Sequence, residues 1–151
     1  MDGNGVFVYG FGNPGRQDDG LGPAIIKRLE DEKIQGIETD CNYQLNIEDA
    51  DNNSKCKVVI FVDASIDADE PFSFRKIVPA AEITFTTHSM APESVVALCM
   101  DIYNRAPEAY VMGIRGYQWD FEEGLTSKAM DNFNEAYQFL VGKITELRKK
   151  N

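Results

Sequence analysis

Basic residues are in short supply in this chain. Fifteen Lys and Arg stand against 25 Asp and Glu, giving a formal net charge of -10 over 151 residues and a pI near 4.5. A surface that follows nucleic-acid phosphates needs clustered Lys and Arg. The one such run, Arg148-Lys149-Lys150, suits the C-terminal end of a helix dipole instead. Cysteine is scarce and odd in number: Cys41, Cys56 and Cys99, with no CxxC. That argues against a disulfide framework or a thiolate zinc site. It fits a reducing compartment, with the three thiols expected in the core. No apolar run approaches the roughly 18 residues of a membrane span, and no charged-then-apolar leader opens the sequence. The expectation is a soluble, cytoplasmic protein that binds neither nucleic acid nor membrane. Histidine occurs once, at His88.

The composition, 43% hydrophobic and 26% charged, supports a real core, and the length fits one domain, 1-151. Residues 5 to 11 form an apolar run without strict alternation, as in a strand buried on both faces. Pro23 suits the first position of a helix, whose apolar face is Leu21, Ile25 and Leu29 and which fades before Gly36. Ile37 to Cys41 is a short second strand. The polar stretch Asn42 to Asn53 is expected to hold one irregular helical turn around Ile47 to Ala50. Cys56 to Val62 is the strongest strand signal, β-branched and apolar, ending in Asp63-Ala64. Phe72 to Val78 alternates apolar with polar, as an edge strand does. Ile83 to Thr87 is β-prone and leads to His88. Pro92 opens a second helix, Ala109 to Ile114 is another buried strand, and Arg115 to Gly124 is a loop carrying Tyr117, Trp119 and Asp120. Thr126 or Ser127 is placed to cap a last helix, with Leu125, Ala129, Phe133, Tyr137, Leu140, Ile144 and Leu147 on one face. Alternating strands and helices imply an α/β three-layer sandwich: a largely parallel, twisted sheet of about five strands with helices on both faces.

The chain turns on residues 6 to 22, VFVYGFGNPGRQDDGLG. Strand, glycine turn, acidic loop and helix follow in order, and in open α/β sheets ligands bind past the carboxyl ends of the strands. Gly10, Gly12 and Gly15 satisfy GxGxxG, with Asp40 as a candidate ribose-binding acid. A dinucleotide-binding module is therefore one reading. Against it, the helix starts several residues after the glycines, and Asp18 and Asp19 would repel a diphosphate. GFGNPG also resembles the opening of the bacterial-type peptidyl-tRNA hydrolases. The segment that supplies their catalytic histidine is replaced here by Asp18-Asp19-Gly20, and the acidic charge disfavours tRNA.

A third likeness runs the length of the chain. GFGNPGRQDDGLG resembles the GxGNxLxxDDGxG signature of the hydrogenase maturation proteases, which trim the C-terminus of the nickel–iron hydrogenase large subunit. Val62-Asp63-Ala64 after the central strand, His88 before a helix, and Gly124-Leu125-Thr126-Ser127 before the last helix continue it. Pro14-Gly15 replaces a bulkier apolar pair, and Asn42 to Asn46 replaces a Gly-rich segment that many members have after the second strand.

Read as chemistry, Asp19, Asp63 and His88 are two carboxylates and an imidazole on loops after strands. Such a set suits borderline divalent ions, including nickel and zinc. Three protein ligands leave positions open for a substrate. The resemblance implies that Asp19, Asp63 and His88 bind nickel that arrives already held by the precursor, with no resident cofactor. The partner is the hydrogenase large-subunit precursor. Gly12 and Asn13 are candidates for substrate contact. Plain structural roles stand beside these. Asp18 and Asp19 could favour a helix N-terminus, Asp63 could be a turn residue, and His88 could be packed. Gly10, Gly12 and Gly22 could serve close backbone approach, and Asn13 could bond within its loop.

Overall fold

The computed structural model describes residues 5–44, 57–77, 92–104 and 107–150. The expected turn at Ile47 to Ala50, the β-prone stretch Ile83 to Thr87, Cys56 and His88 lie outside the described residues. Five strands form one sheet: β1 (Val6–Phe11), β2 (Ile37–Asn42), β3 (Val58–Ser65), β4 (Phe72–Lys76) and β5 (Glu108–Arg115). Their spatial order is β2-β1-β3-β5-β4. The first four are parallel, and β4 runs antiparallel to β5 at the edge. Among the described residues there are three α-helices, α1 (Leu21–Asp31), α2 (Pro92–Tyr103) and α3 (Ser127–Lys150).

The sheet is covered on both faces, so its central strands carry apolar side chains in both directions. Val6, Val8, Val58, Ile60, Val62, Met112 and Ile114 pack against α1 and α3. Phe7, Tyr9, Val59 and Phe61 pack against Val95, Val96 and Cys99 of α2. Leu21, Ile25 and Leu29 are buried at a spacing of four, as expected for α1, and Ile26 joins them. No helix among the described residues is long and apolar enough to cross a membrane.

Three local expectations change. α1 begins at Leu21 rather than Pro23, because a 3-10 turn over Gln17–Gly20 leads into it. Pro23 then sits in the first turn, where a missing N–H costs nothing. The edge strand stops at Lys76, before the expected Val78; Ile77 has turned inward and donates its N–H to the Ala109 carbonyl. Cys41 is exposed, unlike the buried Cys99, since β2 is an edge strand with only one neighbour.

Candidate active site

The chain leaves β1 for β2 on one side and later places β3 on the other. Between β1 and β3 the connections diverge, and a crevice opens past the carboxyl ends of the strands. Asp19 comes from the loop after β1, and Asp63 from the end of β3.

Glycines allow the approach. A Cβ on Gly22 would stand 2.6 Å from the carbonyl oxygens of both Phe11 and Val62. The first turn of α1 thus rests directly on the ends of β1 and β3. A Cβ on Gly12, whose φ is +140°, would collide with the Asp19 carbonyl oxygen. Gly12 and Asp19 are therefore in backbone contact, which holds the Asp19 turn against the end of β1. Gly12 makes its contact with Asp19 itself, the close-approach role.

Asp19 is half-buried, and its Oδ2 accepts the Asn13 N–H at 2.9 Å. Asn13 Oδ1 accepts the Gly15 N–H at 2.8 Å, so this side chain serves its own loop. Asp63 Oδ1 accepts the Ala64 N–H at 2.8 Å. Burial pushes the Asp63 carboxyl up to about 7; the Ala64 bond opposes this, and the negative charge of Asp19 adds to it. The two carboxylates are thus close enough to act on one another. One of them holds a proton near neutrality, the condition in which a carboxyl exchanges a proton readily or yields it to a cation. Among the described residues no three His, Cys, Asp or Glu side chains gather into a metal cluster.

Asp18 has a different part from its neighbour. It is fully buried and does not cap α1. Its Oδ2 accepts the Tyr117 N–H at 2.7 Å, the Gln118 N–H at 3.1 Å and the Thr126 hydroxyl at 2.8 Å; its Oδ1 accepts the Thr126 N–H at 2.8 Å. A buried carboxylate with four donors is well satisfied. It fastens the acidic turn to the loop before α3, a hundred residues away. Arg16 adds a second tie: its Nη2 and Nε donate to the Trp119 carbonyl, at 2.9 and 3.2 Å. Gln17 adds a third, its N–H reaching the Glu122 carbonyl at 2.8 Å. Thr126 is also the cap of α3, its hydroxyl oxygen accepting the Ala129 N–H at 3.3 Å. Nothing local to Asp18 revealed these partners, although the Gly124-Leu125-Thr126 entry to α3 was visible.

Two cavities flank the turn. One, of about 270 Å³, lies between the turn and the later loop, lined by Pro14, Gln17, Pro23, Ala24, Gly124 and Leu125, among others. The other, of about 210 Å³, opens at the ends of β1 and β2, lined by Gly12, Pro14, Pro23, Cys41, Asn42 and Tyr43. Asp40, the ribose candidate, is exposed and accepts the Cys41 N–H.

No family model matches the sequence, and no curated protein matches it by sequence. Solved structures match its fold. The hydrogenase maturating endopeptidase HybD from E. coli superposes with a TM-score of 0.69 at 16% identity, over 94% of this chain and 93% of that one. The [NiFe] hydrogenase maturation protease HycI from Thermococcus kodakarensis KOD1 gives 0.71 at 17% identity, over 94% and 93%. The endopeptidase HycI from Escherichia coli gives 0.67 at 20%, over 91% and 90%. Over nearly its whole length, this chain has the α/β fold of these hydrogenase maturation endopeptidases.

Proposed function

We propose that this protein is an endopeptidase that removes a C-terminal peptide from the nickel-loaded precursor of a nickel–iron hydrogenase large subunit. What supports the reading is the placement of Asp19 after β1 and Asp63 at the end of the neighbouring β3, with the Asp19 charge helping to raise the Asp63 carboxyl, on the fold of the maturation endopeptidases. His88 is the third member of the set in sequence; it lies outside the described residues. The nickel belongs to the substrate. Two hard oxygen donors and an imidazole complete the coordination of a borderline ion that the precursor already holds. A site of this kind senses whether the precursor is loaded before the bond is cut. The raised Asp63 carboxyl gives up its proton as the cation arrives, which couples recognition to a change of charge in the crevice.

The dinucleotide reading is less well supported. Gly12 is used by the chain for its own close contact with Asp19, and α1 begins only at Leu21, six residues past Gly15, so its N-terminus does not open in the glycine turn.

The test is cleavage of a purified, nickel-loaded precursor, followed on a gel that resolves the loss of a short peptide. The native protein is expected to convert it, and Asp19→Asn and His88→Ala to leave it intact. Conversion by both variants at the native rate would overturn the proposal.

A further inference from the structure

Among the described residues, the three most exposed large apolar side chains are Phe121 at 88%, and Tyr43 and Ile66 at 69% each; Met100, Ile102, Met130 and Phe139, less exposed, lie on α2 and α3. Tyr43 follows β2, Ile66 follows β3 and Phe121 follows β5. All three stand at the carboxyl edge of the parallel strands, on either side of the loop that carries Asp19. Neighbouring strands are about 4.8 Å apart, so β2 to β5 spans roughly 14 Å, a fair width for the centre of a protein interface. Grouped exposed apolar residues of this kind mark interaction surfaces.

The same edge carries more acid than base. Asp67, Asp69 and Glu70 after β3, and Asp120, Glu122 and Glu123 after β5, are exposed. The bases nearby are already engaged. Arg16 binds the Trp119 carbonyl and lies over the Phe121 ring at 4.9 Å. Arg115 binds the Ala68 carbonyl, and Lys128 stands 3.9 Å from Glu70. The loop bearing Phe121 is pinned by Asp18 and Arg16, so this anchor is ordered before any partner arrives.

We infer that the carboxyl edge of the sheet, with Tyr43, Ile66 and Phe121 as apolar anchors inside an acidic rim, is the docking face for a basic surface of the precursor polypeptide. This rests on the proposed function and deepens it: the crevice reads the metal, and the rim reads the protein around it. A second copy of this chain does not fit, because a two-fold contact would set the carboxylates against themselves. Apolar anchors supply the affinity of such a face, and the rim charges its encounter rate and salt dependence.

The experiment is steady-state cleavage of the nickel-loaded precursor at 50 and 300 mM NaCl. It compares the native protein, Phe121→Ser, Ile66→Ser, a Glu122→Lys/Glu123→Lys double variant, and Ile102→Ser. Ile102 is exposed near the C-terminal end of α2, toward the opposite edge of the sheet, where β5 begins. The expected result is a KM about tenfold higher for Phe121→Ser and Ile66→Ser, with kcat within twofold and melting temperatures unchanged. The charge-reversed variant should also lose affinity, and the rise of KM with salt expected of the native protein should flatten in it. Ile102→Ser should match the native protein. Native cleavage with unchanged KM in the rim variants, or with no salt dependence, overturns the docking face alone. An uncut precursor with the native protein overturns the proposed function, and the docking face with it.

Discussion

Both carboxylate oxygens of Asp18 are held by Thr126, one by its N–H and the other by its hydroxyl, each at 2.8 Å. One residue lies beside Asp19 within the 3-10 turn, and the other caps α3. The acidic turn and the last helix are therefore one mechanical unit, and damage at either end should reach the site.

Asp18→Ala leaves four donors without their acceptor in a fully buried place. Losing a buried, multiply bonded carboxylate is expected to cost ~3 kcal/mol. For a chain of this size that lowers Tm by roughly 10 °C. Thr126→Val keeps the shape and loses the hydroxyl, and should cost about 1 kcal/mol. Trp119, the one tryptophan, sits in the loop that Asp18 holds. Its fluorescence should become easier to quench in Asp18→Ala and stay nearly native in Thr126→Val. Equal melting temperatures for Asp18→Ala and the native protein would show that the tie is idle.

Asp63 gives stability a pH dependence of unusual sign. Its carboxyl is pushed from 3.8 to about 7, chiefly by burial. The folded chain keeps a proton that the unfolded chain has released, so this group's contribution falls as pH rises from about 4 to 7 and is level above. The full effect is at most about 4 kcal/mol. Asp63→Asn removes the penalty. Its Tm should vary less than the native Tm between pH 5 and 8 and exceed it at pH 8, while cleavage is lost. Denaturation scans across that range check the sign.

Asp19→Asn removes the neighbouring charge that helps to raise Asp63. The Asp63 titration, followed by carboxyl carbon NMR, should move to lower pH in this variant. An unmoved titration would mean that the two carboxylates do not share a site.

Gly22→Ala is expected to be more damaging than its size suggests. The new methyl would meet the backbone carbonyls of Phe11 and Val62, and neither is a side chain that can swing away. Overpacking against backbone is expected to cost about 3 kcal/mol or more. It would also lift α1, and the Asp19 turn with it, off the strand ends. Cleavage should fall further than in a surface control of equal Tm.

The strands and helices described here were readable because the central strands are continuous apolar runs, buried on both faces, and each helix packs one clear face, as Leu21, Ile25 and Leu29 do in α1. The places of Asp19 and Asp63 were readable too, because strand ends in a parallel sheet share one edge. Less legible was what depends on pairing distant in sequence. Asp18 looked like a helix-end acid, and its partners lie about a hundred residues on. Cys41 read as core because a short apolar-flanked strand does not reveal whether it lies at the edge of its sheet. The start of α1 was misplaced by two residues because Pro23 is as welcome inside the first turn as at its opening.

The proposed reaction meets its most direct test in the intact mass of the large-subunit precursor after incubation, with and without bound nickel. The mass should drop by one short C-terminal peptide only when native protein and nickel are both present, and remain whole with Asp19→Asn. An unchanged mass for a verified nickel-loaded precursor, or an equal loss without nickel, would contradict a carboxylate crevice that recognises the metal in its substrate.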